Sequence, residues 1–343
     1  MRVISEESIM AGWRGDYELP LVTVVCNTFN HEKYVKRALE GFLIQQTTFP
    51  FEIVIQDDAS TDRTAEIIRR YEKRYPHIIR PIYETENLYS KHDGSWQRSL
   101  LSHLRGEYLA FCEGDDYWTD PKKLQDQVDV MEAHPEYTIC FNRVQFVHED
   151  GSPCRYIAPP ENEMKHGAVS LDAYVRETFR KGFWVFQTSC FFLRHEMYIW
   201  YDNERKDFAE VFPCGDLPLV LACLMKGDGY YIDKVCGCYR KTDTGATRGS
   251  EKESEKERVN WRRLNEAVRY FDRVTGRKYH DDIMHQIRLG EFKLDVLDRK
   301  LFRVLFAKKY RGYIGIRVRL GGLIRIVSGR LFFVLRDKVG RLR

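Results

Sequence analysis

The segment Leu21 to Cys26 is an unbroken apolar, largely β-branched run that stops at the polar turn Asn27-Thr28-Phe29-Asn30. Such a run reads as a strand buried on both faces. Val35, Ala38, Leu39, Phe42 and Leu43 then recur at helical spacing, so a helix with one apolar face follows. The alternation repeats. Phe51 to Ile55 is a second apolar run, ending at Gln56-Asp57-Asp58-Ala59-Ser60-Thr61-Asp62, a turn rich in helix-starting residues. Ile67, Ile68 and Tyr71 mark a second helix, closed before Pro76, and Ile78 to Tyr83 is a third strand. Trp96 to Leu104 reads as helical, and Tyr108 to Cys112 as a fourth strand ending at Glu113-Gly114-Asp115-Asp116. Strands alternating with helices predict an α/β fold, a mostly parallel sheet with helices on both faces. Such sheets bind ligands outside the carboxyl ends of their strands. Thr28/Asn30, Asp57/Asp58 and Asp115/Asp116 all stand at such ends and are expected to converge on one crevice.

Beyond Pro121 the pattern loosens. Lys122 to Ala133 predicts a helix and Tyr137 to Val147 a strand. Gly151 to Gly167, with three prolines, predicts a loop; Phe183 to Leu193 is strand-like and aromatic. Gly215 to Lys226 predicts a helix, Tyr230 to Tyr239 a strand, and Thr242 to Ser250 a mobile loop. From Glu251 onward the pattern is helical and charged, and no internal repeat is visible.

The chain of 343 residues is 43% hydrophobic and 31% charged, a folded protein with room for one large core plus an appendage or two modest domains. Its nine cysteines are odd in number and form no CxxC pair, which argues against a zinc site and for reduced core residues of a cytosolic protein. No stretch resembles a signal peptide or reaches the ~18 uncharged apolar residues of a membrane span. The net charge of +4 hides an asymmetry: Arg299 to Arg343 holds fourteen Lys or Arg against one acid, Asp337, leaving the rest of the chain acidic. Mixed with Leu301, Phe302, Val304, Leu305, Phe306, Ile314, Ile316, Leu323, Ile324, Val327, Leu331 and Phe332, those cations fit one or two amphipathic helices on an anionic membrane surface. A packed helix with a solvated basic face is the plainer alternative. Nucleic acid is not expected, since no nucleic-acid motif accompanies the charge.

Two adjacent carboxylates on a turn, Asp115-Asp116, repel unless a cation neutralises them. Mn²⁺ or Mg²⁺ takes one or two carboxylates and completes its shell with phosphate oxygens. A solvated turn or cap is the bland reading, and the position at a strand end facing two other polar clusters weighs against it. Asp58 in the second cluster stands either in a capped helix start or as an acceptor for a nucleobase or ribose.

The segments VTVVCNTFNHEKYVKRALEGFLIQQ, FEIVIQDDASTDRTAEII and GEYLAFCEGDDYWTDPKKLQDQV resemble glycosyltransferase family 2, inverting enzymes of the GT-A fold. The resemblance is strong from Leu21 to about Val147, weaker through Tyr239, and does not cover the tail. It implies a GT-A-type, Rossmann-like sheet and roles for matching positions. Thr28 and Asp58 match residues that contact the nucleotide base. Asp115 and Asp116 match the metal-binding pair, Asp116 being the direct ligand. Asn30 stands at the start of the first helix, near the nucleotide or as a cap. Arg98 reads equally as a diphosphate contact and as a surface charge. The base that deprotonates the attacking hydroxyl falls on Asp216 in Pro213-Cys214-Gly215-Asp216-Leu217-Pro218, where a helix cap is the alternative and Gly215 replaces the usual preceding acid. Trp118 and Phe183-Trp184 stand as acceptor-stacking or core aromatics. The loop after Tyr239 lacks the His many relatives carry, leaving Arg240, Lys241 or Arg248 to face a diphosphate.

The expected organisation is an N-terminal segment 1–20, a transferase domain 21–245 (nucleotide half 21–120, acceptor half 121–245), a helical region 246–298 and a basic tail 299–343. The expected partners are a nucleotide-diphosphate sugar and a glycan or lipid-linked acceptor, met by a cytoplasmic protein peripheral at the inner face of the cell membrane. Two competitors stand beside this. A sugar-nucleotide pyrophosphorylase wants a Gly-rich loop after the first strand, and Asn27-Thr28-Phe29-Asn30 has no Gly. A membrane-surface sugar-nucleotide binder without catalysis is motivated by Gly215 and the missing His.

Overall fold

The computed structural model describes residues 4–91, 93–161, 163–180, 185–242 and 251–328. In chain order its helices and strands are α1 (Glu6–Met10), β1 (Val22–Thr28), α2 (Val35–Leu43), β2 (Phe51–Asp57), α3 (Thr64–Arg74), β3 (Ile79–Tyr83), α4 (Ser95–Leu101), β4 (Tyr108–Phe111), β5 (Tyr117–Trp118) and α5 (Lys123–Ala133). There follow β6 (Ile139–Val147), β7 (Pro153–Ala158), β8 (Gly167–Val169), α6 (Leu171–Val175), β9 (Phe192–Arg194), α7 (His195–Glu204), α8 (Lys206–Val211), α9 (Asp216–Lys226) and β10 (Gly229–Arg240). The last four are α10 (Glu251–Val274), α11 (His280–Leu297), α12 (Leu301–Phe306) and α13 (Ile316–Ser328). The chain divides into two compact units, one of residues 1–171, 184–206 and 216–245, the other of 172–183, 207–215 and 246–343.

The first unit is built on one sheet of order β3-β2-β1-β4-β9-β6-β10-β5, with β7 on β6 and β8 on β10. The first four strands are all parallel, in register Val22 to Phe51, Val22 to Tyr108 and Ile53 to Ile79. β2 is buried along its whole length and β1 along nearly all of it. That is why both are apolar runs rather than alternating ones. Of the two charges in β2, Asp57 closes the strand and Glu52, within it, is 1% exposed. It accepts from the Thr23 hydroxyl at 2.7 Å and from Arg105 Nε at 2.9 Å, which satisfies a carboxylate that would otherwise be costly to bury. β9 turns the direction of the sheet, running antiparallel to both β4 and β6.

Three sequence expectations change here. Residues 153–158 of the proline-bearing loop form β7, paired antiparallel with β6. Pro153 opens the strand and Pro159 lies just past its end, positions where a missing N–H costs no ladder bond. Of Phe183 to Leu193, only the end is strand; Thr188–Cys190 is a 3₁₀ turn, and Phe183 and Trp184 lie outside the described residues. The N-terminal segment is not separate: Ile9 is buried, Trp13 meets the Phe51 ring edge-on at 5.4 Å, and Tyr75 donates to the Ile4 carbonyl at 2.7 Å.

In the second unit Phe271 of α10 meets the rings of Phe179, Phe208 and Tyr279. Phe292, Val296, Val304, Tyr310 and Ile314 form a separate buried cluster that ties α11 to α12 and the turn before α13. The sequence reading separates 246–298 from 299–343, whereas the structure places the described residues of both stretches, 251–298 and 299–328, in one unit. Among the described residues no helix is long and apolar enough to cross a membrane.

Candidate active site

The three polar turns at the carboxyl ends of β1, β2 and β4 are laced together through the main chain. Asp58 N–H donates to the Thr28 carbonyl at 3.0 Å and Gly114 N–H to the Asn27 carbonyl at 2.9 Å. Gly114 must be glycine: a Cβ there would lie 2.4 Å from Thr28 Cγ2 and 2.9 Å from His31 Nδ1. Asn30 adopts a left-handed φ of 56°, which Asn tolerates better than most residues. From there its Oδ1 accepts the Thr61 N–H at 2.8 Å, and its own N–H reaches Ser60 Oγ at 2.9 Å. It is therefore a tie between two turns and not a helix cap; α2 begins five residues later, at Val35.

Thr28 is 2% exposed, and its hydroxyl donates to the Gln56 carbonyl at 3.1 Å. Asp58 is 3% exposed and its carboxylate holds the loop after β3, accepting the N–H of Leu88 at 2.7 Å and of Tyr89 at 3.1 Å. Arg98 is exposed on α4, and its guanidinium donates to the Asp93 carbonyl at 2.9 Å, within its own turn.

The acidic turn after β4 is the electrostatic centre. Asp116 is 2% exposed and accepts the main-chain N–H of Arg240 at 2.8 Å. Burial first, and the charge of Asp115 second, hold its carboxyl well above the usual carboxylate range. Asp115 is partly exposed beside it. Burial, with Asp115 and Asp216 adding repulsion, pushes Glu113 up to about 8. Asp216 is the first residue of α9, half-buried, with its Oδ1 on the Leu217 N–H at 2.9 Å. The positive end of that helix favours a carboxylate. Tyr239 reports the convergence: its hydroxyl is raised by burial and then by Asp116, Asp115, Asp216 and Glu113 together.

The residues this reading had not singled out are Glu113, Tyr239 and His31. Glu113 was visible in the same turn as Asp115. Nothing in the sequence marked Tyr239, because β10 reaches the site through strand pairing, parallel with β6 and antiparallel with β5, the two residues after Asp116. His31 Nδ1 and Asn27 Oδ1 are buried without hydrogen-bond partners. Arg240 was a candidate for the diphosphate, but its Nε donates to the Asp115 carbonyl at 2.9 Å, and a second guanidinium nitrogen donates to the Glu149 carbonyl at 2.7 Å. It braces the acidic turn. Lys241 Nζ lies 5.2 Å from the Phe146 ring centroid, and Arg248 lies outside the described residues. Trp118 is a core residue: fully buried, it donates to the Ser189 carbonyl at 2.9 Å and packs on Phe42.

Among the described residues no group of three or more His, Cys, Asp or Glu is arranged to hold a metal. The donor set is instead two adjacent carboxylates, one partly open to solvent, with charge in excess. That fits a hard divalent ion that takes one or two protein carboxylates and completes its shell with phosphate and water. A separate cavity of about 760 Å³ lies by the amino ends of β1 and β4, lined by Arg14, Glu18, Leu21, Arg105 and His195, away from this chemistry.

Residues 23–192, just under half of the chain, match the glycosyl transferase family 2 model, and this segment is a domain of that family. An uncharacterized protein of Mycobacterium tuberculosis is 49% identical over 131 residues, 38% of this chain and 37% of its own length. A Bacillus subtilis protein named for teichuronic acid biosynthesis, TuaG, is 29% identical over 154 residues, 45% of this chain and 56% of its own. The chain thus spans little more than a third of the length of the first of these relatives. The fold is GT-A. Staphylococcus aureus TarS residues 1–349, solved with UDP-GlcNAc, superposes with a TM-score of 0.53 at 20% identity, covering 89% of this chain and 81% of TarS. A Pyrobaculum calidifontis mannosyltransferase, solved with GDP-Man and Mn²⁺, gives 0.52 at 17% identity, covering 93% and 83%.

Proposed function

We propose that this chain is a metal-dependent, inverting glycosyltransferase. It moves a sugar from a nucleotide diphosphate to a glycan or lipid-linked acceptor of cell-surface polysaccharide, working peripherally at the inner face of the cell membrane. The observation that carries the reading is the carboxyl edge of the parallel strands, where the turns after β1, β2 and β4 are tied together through the main chain, buried Asp116 is held by the Arg240 N–H beside Asp115, and Asp216 opens α9 near the same acidic turn. A base for the hydroxyl proton and an acidic pair for the donor's phosphates belong at one place in a single displacement.

In that displacement the acceptor hydroxyl attacks the anomeric carbon as the bond to the diphosphate oxygen breaks. Asp216 takes the hydroxyl proton, a role suited to a half-buried carboxylate. Asp116 and Asp115 would hold Mn²⁺ or Mg²⁺, which supplies charge neutralisation for the departing diphosphate. Thr28, Asn30 and Asp58 shape the nucleotide side of the crevice, Asp58 through the Leu88–Tyr89 main chain that it fixes. Arg98 on α4 is assigned to the diphosphate. The ligands named for TarS and the archaeal mannosyltransferase, UDP-GlcNAc and GDP-Man with Mn²⁺, and the polysaccharide named for TuaG support this reading.

The test is thermal stabilisation by UDP, GDP and dTDP, each with Mn²⁺ and with EDTA, since a ligand of the native state raises the melting point by mass action. A Mn²⁺-dependent shift with one nucleotide that is lost in Asp116→Ala is expected. No shift with any of them would overturn the proposal. A shift without sugar transfer to any acceptor extract would favour a binder that has lost catalysis, the reading that Gly215 motivates.

A further inference from the structure

The basic stretch of the second unit has two faces. One is packed: Gly322 of α13 sits where a Cβ would lie 2.9 Å from Phe292 and 3.0 Å from Val296, and Arg319 is buried, donating to the Ile314 and Leu305 carbonyls. The other is exposed and apolar. Phe302 and Phe306, one turn apart on α12, are 79% and 57% exposed with ring centroids 5.0 Å apart. Ile316, Leu320 and Ile324 are 64%, 46% and 51% exposed and stand at i, i+4 and i+8, a single stripe along α13. Single exposed apolar residues are ordinary, but two stripes on helices that pack together are not.

Charge selects the occupant. From Arg299 to Ser328 there are nine Lys or Arg and no acid. Lys300 and Lys309 are paired with Asp298 and Glu291. Lys308, Arg311 and Arg317 are exposed and have no ion pair among the described residues. A second copy meeting it through the same face would bring like charge against like. A nucleic acid would use the cations and leave the aliphatic stripe in water. An anionic bilayer accepts both, cations at the headgroups and Phe, Ile and Leu at the acyl boundary.

We propose that Phe302, Phe306, Ile316, Leu320 and Ile324, with Lys308, Arg311 and Arg317, form a surface that docks on anionic lipid. This deepens the membrane part of the function proposed above and rests on that reading.

The experiment is flotation of the full chain with phosphatidylcholine vesicles and with vesicles half phosphatidylglycerol, at about 0.1 M and 0.5 M salt. Wild type is expected to float with anionic vesicles at low salt, at least tenfold more than with neutral ones. Phe302→Glu/Phe306→Glu and Ile316→Glu/Leu320→Glu should each lose tenfold or more. Lys308→Glu/Arg311→Glu/Arg317→Glu should lose at least a hundredfold, at about fivefold per cation. All are surface changes, and an unaltered melting point checks that each variant folds. Equal flotation with neutral and anionic vesicles, or of wild type and all three variants, overturns the proposal. So does a self-association that the Phe variants abolish, or tighter binding to duplex DNA than to vesicles. The nucleotide-induced melting shift, read on the same samples, reports the transferase site separately: wild type that does not float on anionic vesicles but keeps the shift sinks the docking surface alone.

Discussion

Asp216 and Asp116 fail differently when neutralised, because one is assigned to the proton and the other to the donor's charge. Asp216→Asn keeps the cap on the Leu217 N–H but cannot take a proton. A fall in kcat of about 10²–10⁴-fold is expected, with the nucleotide-induced melting shift unchanged. An unchanged kcat would remove Asp216 from the chemistry. Asp116→Asn should lose the Mn²⁺-dependent part of nucleotide binding as well. Gly114→Ala probes the scaffold beneath them: its methyl would press into Thr28 and His31, and overpacking of this kind costs about 1–3 kcal/mol. Donor binding should weaken more than the melting point falls, since the strain is local to the turn. A variant with wild-type affinity would show that the turn is looser than its contacts imply.

Among the elements, α5 carries an unusual charge. Lys123 is fully buried, with Nζ 2.7 Å from Gln127 Oε1 and 4.1 Å from the Trp118 ring centroid. Burial holds its ammonium below the ordinary 10.5. The unfolded chain therefore binds this proton more readily than the native one, and stability is lost as pH falls through 10.5. Lys123→Met fills the space without the charge. Its stability relative to wild type should rise as pH is lowered from 10.5 and then level off, measured by urea unfolding at pH 7 to 10.5. A pH-independent difference would mean that Lys123 stays charged in its site. The same scale shows what was legible in the sequence. The parallel half could be read from local pattern because each buried strand is a short apolar run stopped by a polar turn, with its helix next in line. Its three turns were readable for that reason, whereas Asp216, outside that half, was singled out through the family resemblance. β7 hid behind its flanking prolines, and Tyr239 reaches the acidic turn through pairing of β10 with β6 and β5 across about 90 and about 120 residues of sequence, which no local signal encodes. The engagement of Asp58 by the Leu88–Tyr89 main chain was equally invisible, since those amides belong to a loop of ordinary composition.

For the whole molecule, the basic stretch is both core and surface, and this changes how it can be tested. Val304 is fully buried and Ile314 is 6% exposed, both against Phe292 and Val296 of α11. Tyr310 donates to Asp295 Oδ2 at 2.5 Å, and Asp295 is itself 5% exposed. Cutting the chain after Asp298 would uncover that cluster and strip a buried carboxylate of its hydroxyl partner and of Lys300 and Lys309, which lie 3.7 and 4.0 Å away. Burial of each aliphatic side chain stabilises by about 1.5–3 kcal/mol. The truncated chain should therefore melt several degrees lower and bind a dye for exposed apolar surface, with or without lipid present. A truncated chain as stable as the full one would mean that the stretch is an appendage after all. If the expected loss is found, failure of the truncated chain to reach a membrane says nothing about docking, because the helices that would carry the surface have lost their support. Only the exposed-face substitutions, which leave Val304, Tyr310 and Ile314 in place, separate the lipid-facing role of this stretch from its part in holding α11.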